Sequence, residues 1–401
     1  STACSILESD MTDRGSAAEP ALDVAEGISA EPITQWDLFV TRLRRHRLAT
    51  IAFFYISFVA YVALMAPLFT CEKNDTFCGR GPVEMSLLTT VIMLAITAGA
   101  IYLAYRAFVG KLRGAAIALS LVGLVGVIFL ISSWGFLDIP RVNHYADQLP
   151  DESGRILVNI APRSSLPLGT DDLGRDVLSR VIHGGRASLA VGIVVGALVA
   201  LLGTVVGSLA GYYPGVVDQS LMRFTDLVLG LPLLPVAIVV GRVLPELRFL
   251  PGFLKQGAWG IAVLLGLLVW GALARIVRAE FLSLREKEFV EAARAAGATD
   301  RRIIFRHILP NALSPIIVQT TLIVGTAIIV EAALSFLGFG VRPPIPTWGG
   351  MAASGAAIAV RGFWWELVFS AGALITTVLA INFIGDGLRD ALDPTQTIER
   401  K

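Results

Sequence analysis

The sequence predicts an all-α integral membrane protein, a polytopic bundle of about eight transmembrane helices. Three observations lead there. Hydrophobic residues make up 55% of the 401 residues and charged ones 16%, with a mean hydropathy of +0.70, too apolar for an ordinary soluble domain. Uncharged runs of about 20 residues, enough to cross a hydrocarbon core about 30 Å thick as helix, recur along the chain. Basic residues gather in small clusters beside those runs, so the net charge of +1 carries no nucleic-acid signal.

Residues 1–34 are polar, rich in Ala, Ser and Glu, and without apolar periodicity, which reads as a disordered cytoplasmic tail. They lack the basic-then-apolar layout of a secretory signal, and Met11 is left open as a start. Trp36, Leu38, Phe39, Val40 and Leu43 suggest an amphipathic segment leading into Arg42, Arg44, Arg45 and Arg47. That basic cluster puts the first end in the cytoplasm. Spans are expected at 48–71, 85–105 and 114–137, completing an N-terminal region of 35–137. Arg106, Lys111 and Arg113 form an inner loop between the second and third. Cys71 and Cys78 share a short loop, either as a disulfide or as two thiols. With three cysteines in all, the chain builds neither a disulfide framework nor a four-ligand zinc site.

Three crossings place 138–186 outside. Pro140, Pro150, Pro162 and Pro167 make 138–170 an extended connection. It ends in a turn containing Gly169, Thr170, Asp171, Asp172, Gly174, Arg175 and Asp176, with Asp176 set to cap the following helix. Val177, Leu178, Val181 and Ile182 recur on one face, so a short helix is expected along the membrane surface. Turn and capping roles outweigh metal ligation for the aspartates, and His183 has no partner at ligand spacing. No metal site is assigned.

The transport core is expected at 187–390. Its first span, 187–212, carries Gly192, Gly196, Gly203, Gly207 and Gly211, a small-residue face suited to close helix packing. The next, 221–240, contains Arg223, Asp226, Pro232 and Pro235. The two charges, three apart, can pair on one helix face or serve a gate or pathway, and the prolines should bend the helix. Span 257–274 exits through Arg275 and Arg278 into a connection that also holds Arg285, Lys287, Arg294, Arg301, Arg302 and Arg306, which the positive-inside rule places in the cytoplasm. Within that connection, 286–310, Glu291, Ala292 and Ala293 begin a smooth helix that Gly297 caps. Thr299 or Asp300 should start a second short helix stopping near Pro310. Span 312–330 continues through Glu331 to Leu337. Glu331 reads equally as a substrate-facing or gate residue, or as one lying near the outer headgroups. A rigid outer loop, 338–350, has no helical period until about Met351. The last span, 367–385, returns inside to Asp386, Arg389, Asp390 and Asp393, with 391–401 a cytoplasmic tail.

The order Glu291-Ala292-Ala293, three residues, Gly297, then Leu309-Pro310 resembles the cytoplasmic coupling loop of bacterial ABC-importer permeases. The ending His307-Ile308-Leu309-Pro310-Asn311 is similar to the peptide and nickel branch, with His307 standing where the family often has Ile. Leu168-Gly169-Thr170-Asp171 with Gly174-Arg175-Asp176 resembles the signature of the second permease subunit of dipeptide and oligopeptide importers. The resemblance spans residues 168–395. It implies a multi-pass protein of the bacterial inner membrane with both termini cytoplasmic, built as a six-helix type I permease core. The spans 48–71 and 85–105 would be an added N-terminal pair. It further implies a second homologous permease, two ATP-binding subunits that hold ATP and Mg, and an extracytoplasmic solute-binding protein facing the 338–350 loop. No cofactor belongs to this chain itself. Peptides are the leading substrate.

Gly110-Lys111 is followed by Leu112, so no phosphate-binding loop is present and ATP must be used by another subunit. A secondary transporter or channel is the main alternative, but neither an inverted repeat nor broken mid-membrane helices is evident. A membrane-embedded hydrolase would need clustered polar groups inside the spans. His46, His144, His183 and His307 all lie outside them.

Overall fold

The computed structural model describes residues 46–69, 143–151, 153–243, 246, 251–252 and 258–392. The tail 1–34, the segment 35–45, Cys71 and Cys78, the expected spans 85–105 and 114–137, and the chain beyond Leu392 lie outside the described residues.

Helix α1 (Arg47–Phe69) starts at the arginine cluster. Nδ1 of His46 accepts the Ala49 N–H at 3.2 Å, supplying one of the acceptors a helix start lacks. Residues 143–176 follow as turns stitched by isolated bridges, Pro150 to Ile156, Arg163 to Leu166 and Thr170 to Asp176.

Helix α2 (Val177–Tyr212) corrects one expectation. The surface helix and the first core span are a single helix of 36 residues, about 54 Å long at 1.5 Å per residue, so it outreaches a core about 30 Å thick. Gly184 and Gly185 lie inside this helix, although glycine weakens a helix interior. They are there for Trp348: a Cβ on Gly185 would lie 2.9 Å from the indole, whose Nε1 donates to the Val181 carbonyl at 2.9 Å.

The next expected span is broken into α3 (Val216–Gly230) and α4 (Leu233–Val243), which meet at 84°. Leu231 is extended at φ −73, ψ 130, as a residue before proline must be, so Pro232 ends α3 rather than merely curving it. Helix α5 (Ala258–Leu284) continues ten residues past the expected end at 274. The connection then forms α6 (Glu288–Ala295), a one-turn α7 (Asp300–Arg302), a π-helical stretch Ile303–Ile308, and α8 (Leu309–Phe336). Helix α9 (Trp348–Ala359) begins three residues before Met351, where Thr347 Oγ1 accepts the Gly350 N–H. Helix α10 (Trp365–Leu392) completes the bundle. Among the described residues, five helices are long and apolar enough to cross a membrane, or six if α3 and α4 count as one span.

The glycines of α2 make it the shared spine. Cβ atoms on Gly207 and Gly211 would lie 2.5 Å from the Ala274 carbonyl oxygen and from Phe281 Cβ, both on α5. On the other half of the helix, one on Gly192 would lie 2.8 Å from Ile328 on α8. In lipid, where apolar surface gains nothing by leaving its surroundings, such close backbone approach is what holds helices together. The buried core follows this contact through Val191, Val195, Val199, Leu273, Val277 and Phe281.

Candidate functional site: the coupling end of the bundle

Helix α6 exposes Glu291 and Ala292 of the Glu-Ala-Ala stretch, while Ala293 is half-buried against the core. Glu291, Ala292, Arg294 and Ala295 are exposed, while Val290 is fully buried and anchors the helix from beneath. Gly297 at φ +78 ends it as foreseen. Ala298 N–H bonds to the Ala293 carbonyl and Gly297 N–H to that of Arg294, each at 3.0 Å, a Schellman closure that satisfies two free carbonyls.

Three expectations for this segment need correction. Thr299 occupies the capping position of α7 without a side-chain cap bond. Asp300 does not cap either; its carboxylate accepts the Tyr212 hydroxyl at 2.7 Å and the Tyr213 hydroxyl at 3.2 Å, both at the end of α2. The second helix does not stop near Pro310 but runs through it into the membrane. Pro310 lacks an N–H and its ring would crowd the carbonyl four residues back. The π-helical turn avoids this by widening the ladder, Leu309 N–H reaching Ile304, and Asn311 Nδ2 serves the His307 carbonyl at 2.6 Å. Ile303, Ile304 and Ile308 are buried, whereas Phe305, Arg301, Arg302 and Arg306 are exposed beside α6.

Further ion pairs knit this end. Arg278 on α5 grips both oxygens of Asp218, in the first turn of α3. Asp226 pairs with Arg275 of α5 at 2.7 Å, not with Arg223, which is exposed. At the same end, Ser314 of α8 bonds to the Leu392 carbonyl at 3.4 Å, and His46 lies 3.6 Å from Asp390.

The opposite end carries the outer turn. Gly169 and Gly174 have φ of +76 and +75, and Cβ atoms there would collide with the Ile160 carbonyl and the Ile156 side chain. Asp171, fully buried, accepts Leu173 and Arg175 N–H groups at 2.9 and 2.8 Å and Arg175 Nε at 2.7 Å. Arg180 Nε is 3.3 Å from the same carboxylate, an ion-pair distance without hydrogen-bond alignment. Asp176 caps α2 through Leu178 N–H at 2.9 Å. Burial pushes its carboxyl above the usual range, while Asn143 and the Leu178 amide pull it back. Trp365 Nε1 donates to the Thr170 carbonyl at 2.9 Å, tying the turn to α10.

Glu331 does not reach the surface of this chain. It is fully buried, accepting Ser335 Oγ at 2.7 Å and Ser188 Oγ at 3.3 Å, with Thr347 Oγ1 bonded to Ser335. A carboxyl group inside a span needs polar partners, and hydroxyls from α2, α8 and the 338–350 loop provide them. Sequence reasoning missed these serines, the tyrosine pair and Glu366, which is buried at the start of α10 and accepts Ser354 Oγ at 2.7 Å. Two adjacent tyrosines in an otherwise aliphatic helix end were the available signal.

Comparison with known proteins fits this geometry. Residues 203–398 match the family model described as the binding-protein-dependent transport system inner membrane component. The dipeptide transport system permease protein DppC of Alkalihalophilus pseudofirmus is 40% identical over 279 residues, 69% of this chain and 86% of that protein. The chain belongs to this permease family. The oligopeptide transport system permease protein OppC of Bacillus subtilis is 38% identical over 278 residues, 69% of this chain and 85% of its own length. A putative peptide permease protein of Brucella suis is 42% identical over 249 residues, 61% and 78% of the two chains. Residues 34–77 match a second model, the N-terminal TM domain of oligopeptide transport permease C. The first N-terminal span is therefore part of the family's own architecture rather than an addition to it. A MetNI methionine ABC transporter structure aligns with a TM-score of 0.41 at 22% identity, over 53% of this chain and 96% of that one. By the family model and these relatives, this permease is a multi-pass inner-membrane component of a binding-protein-dependent transport system.

Proposed function

We propose that this permease imports di- or oligopeptides, forming the pathway with a second, homologous permease. Two ATP-binding subunits that carry ATP and Mg would dock at α6, and an extracytoplasmic solute-binding protein would deliver substrate at the opposite end, with both termini in the cytoplasm. The observation that carries the reading is the exposed surface of α6. A short, small-sided helix, closed by Gly297 and anchored by Val290, stands out from the bundle with Phe289, Phe305 and a fringe of arginines exposed. Apolar anchors rimmed by Arg suit a protein cleft. The relatives named as peptide permeases supply the substrate class.

The test is purification of the tagged chain from its native membrane in mild detergent, with mass spectrometry of partners and an ATPase assay, comparing wild type with Gly297→Asp. Two ATP-binding subunits and a second permease are expected with wild type. A side chain at Gly297 meets no atom within 4 Å, so the substitution acts through the left-handed backbone and an added negative charge at the docking surface. Loss of ATPase subunits or of coupled hydrolysis is the expected result. A chain that purifies alone and moves solute without ATP would establish a secondary transporter instead.

A further inference from the structure

Displacement of α6 has a covalent route to two helices only. Arg285 to Lys287 join it to α5, and residues 296–308 join it to α8. Helix α2, the spine against which both pack, has no such connection. What it has is Tyr212. The ring is 7% exposed and lies in the same buried cluster as Val290 beneath α6. Its hydroxyl donates to Asp300 Oδ1 at 2.7 Å, three residues beyond the Gly297 turn, and Tyr213 adds a longer bond to Oδ2 at 3.2 Å. Nothing interrupts α2 between this bond and the Asp176 cap 36 residues away, so a push at one end reaches the other without a hinge.

We propose that the Tyr212 hydroxyl and the Asp300 carboxylate form the linkage that passes movement of α6 to α2, making both positioning residues for ATP-coupled transport. The proposal rests on the importer reading above. Without the bond, α2 receives the push only through its packing on α5 and α8 and the longer Arg285 Nη1 bond to the Tyr212 carbonyl at 3.5 Å, so nucleotide-driven rearrangement at the far end of α2 is reduced even though docking and hydrolysis persist. A charged acceptor makes this bond strong enough to matter: hydrogen bonds to ionised groups shift equilibria by about tenfold or more.

The experiment uses the full complex in nanodiscs, with Cys4, Cys71 and Cys78 changed to Ser and Arg186→Cys introduced. Arg186 is exposed near the start of α2, and the readout is its labelling rate by an impermeant maleimide, nucleotide-free against ATP–vanadate. Tyr212→Phe keeps the ring packing and removes only the hydroxyl. It is expected to cut the nucleotide-dependent change in rate by about tenfold while ATPase subunits still copurify and hydrolysis continues. Asp300→Ala should match it, the double variant should be no worse than either, and Asp300→Asn, which keeps an acceptor without the charge, should fall between Asp300→Ala and wild type. A wild-type response in both Tyr212→Phe and Asp300→Ala overturns the linkage. Loss of the ATPase subunits from Tyr212→Phe also overturns it, in favour of a docking role. If the wild-type chain itself carries no ATPase, the importer reading fails first and the linkage with it.

Discussion

Gly211→Ala sets two physical effects against each other. In an isolated helix the change is favourable by about 1 kcal/mol, because glycine pays more backbone entropy than alanine. In this bundle the new methyl would sit 2.5 Å from Phe281 Cβ and 2.7 Å from the Arg278 carbonyl oxygen, about 1 Å inside the roughly 3.5 Å at which carbon contacts become attractive. Phe281 is fully buried and the carbonyl belongs to the α5 backbone, so neither yields by rotating a side chain. Helices α2 and α5 must separate, and overpacking of this kind costs about 1–3 kcal/mol. Packing therefore wins, and a net loss of up to about 2 kcal/mol is expected. The control is Gly372→Ala in α10, where a Cβ meets nothing within 4 Å; it should be neutral or gain up to about 1 kcal/mol. The assay is thermal unfolding of the detergent-purified complex, followed by size-exclusion recovery. Equal or greater stability for Gly211→Ala would refute the claim that the glycines exist for close α2–α5 packing.

Other changes have definite expected outcomes. Glu331→Ala leaves the Ser188 and Ser335 hydroxyls without their acceptor in a buried space, so thermal recovery should fall by about 1–3 kcal/mol, with Glu331→Gln intermediate. Arg278→Ala strands the Asp218 carboxylate and should weaken the complex more than Arg275→Ala, whose ion pair with Asp226 is exposed on both sides; comparing their recoveries from detergent checks this. Asp176 titrates above its unfolded value, so whatever stability its protonated form contributes is present at low pH and lost as pH rises through the folded value. Asp176→Asn, which also caps well and stays neutral, should therefore be at least as stable as wild type near neutral pH and flatten the acid limb of a stability-against-pH curve.

The coupling segment shows how far local signals reach. Gly297 after a run of alanines announces a left-handed helix end because few other residues tolerate that backbone, and the structure has it at φ +78. Pro310 announces a helix stop by the same kind of local reasoning, and there the inference fails, because a widened turn and the Asn311 side chain absorb the missing N–H. The Arg223 and Asp226 pair fails likewise: spacing on one helix made it look self-contained, but Arg275 on another helix took the carboxylate. Pro232 is the reverse case, where a bend was expected and the break of 84° followed.

Composition, apolar run length and the placement of arginines were enough by themselves to determine a membrane-spanning helical chain and the connection that leaves it, since both depend on transfer of side chains and charges along the sequence. Which polar groups meet was decided only by the tertiary structure. Tyr212 with Asp300, Glu331 with Ser188, and Trp348 over Gly184 and Gly185 join residues far apart in sequence. In lipid, buried charges and glycine faces must be satisfied by whichever helix comes closest, and that neighbour is a property of the folded bundle.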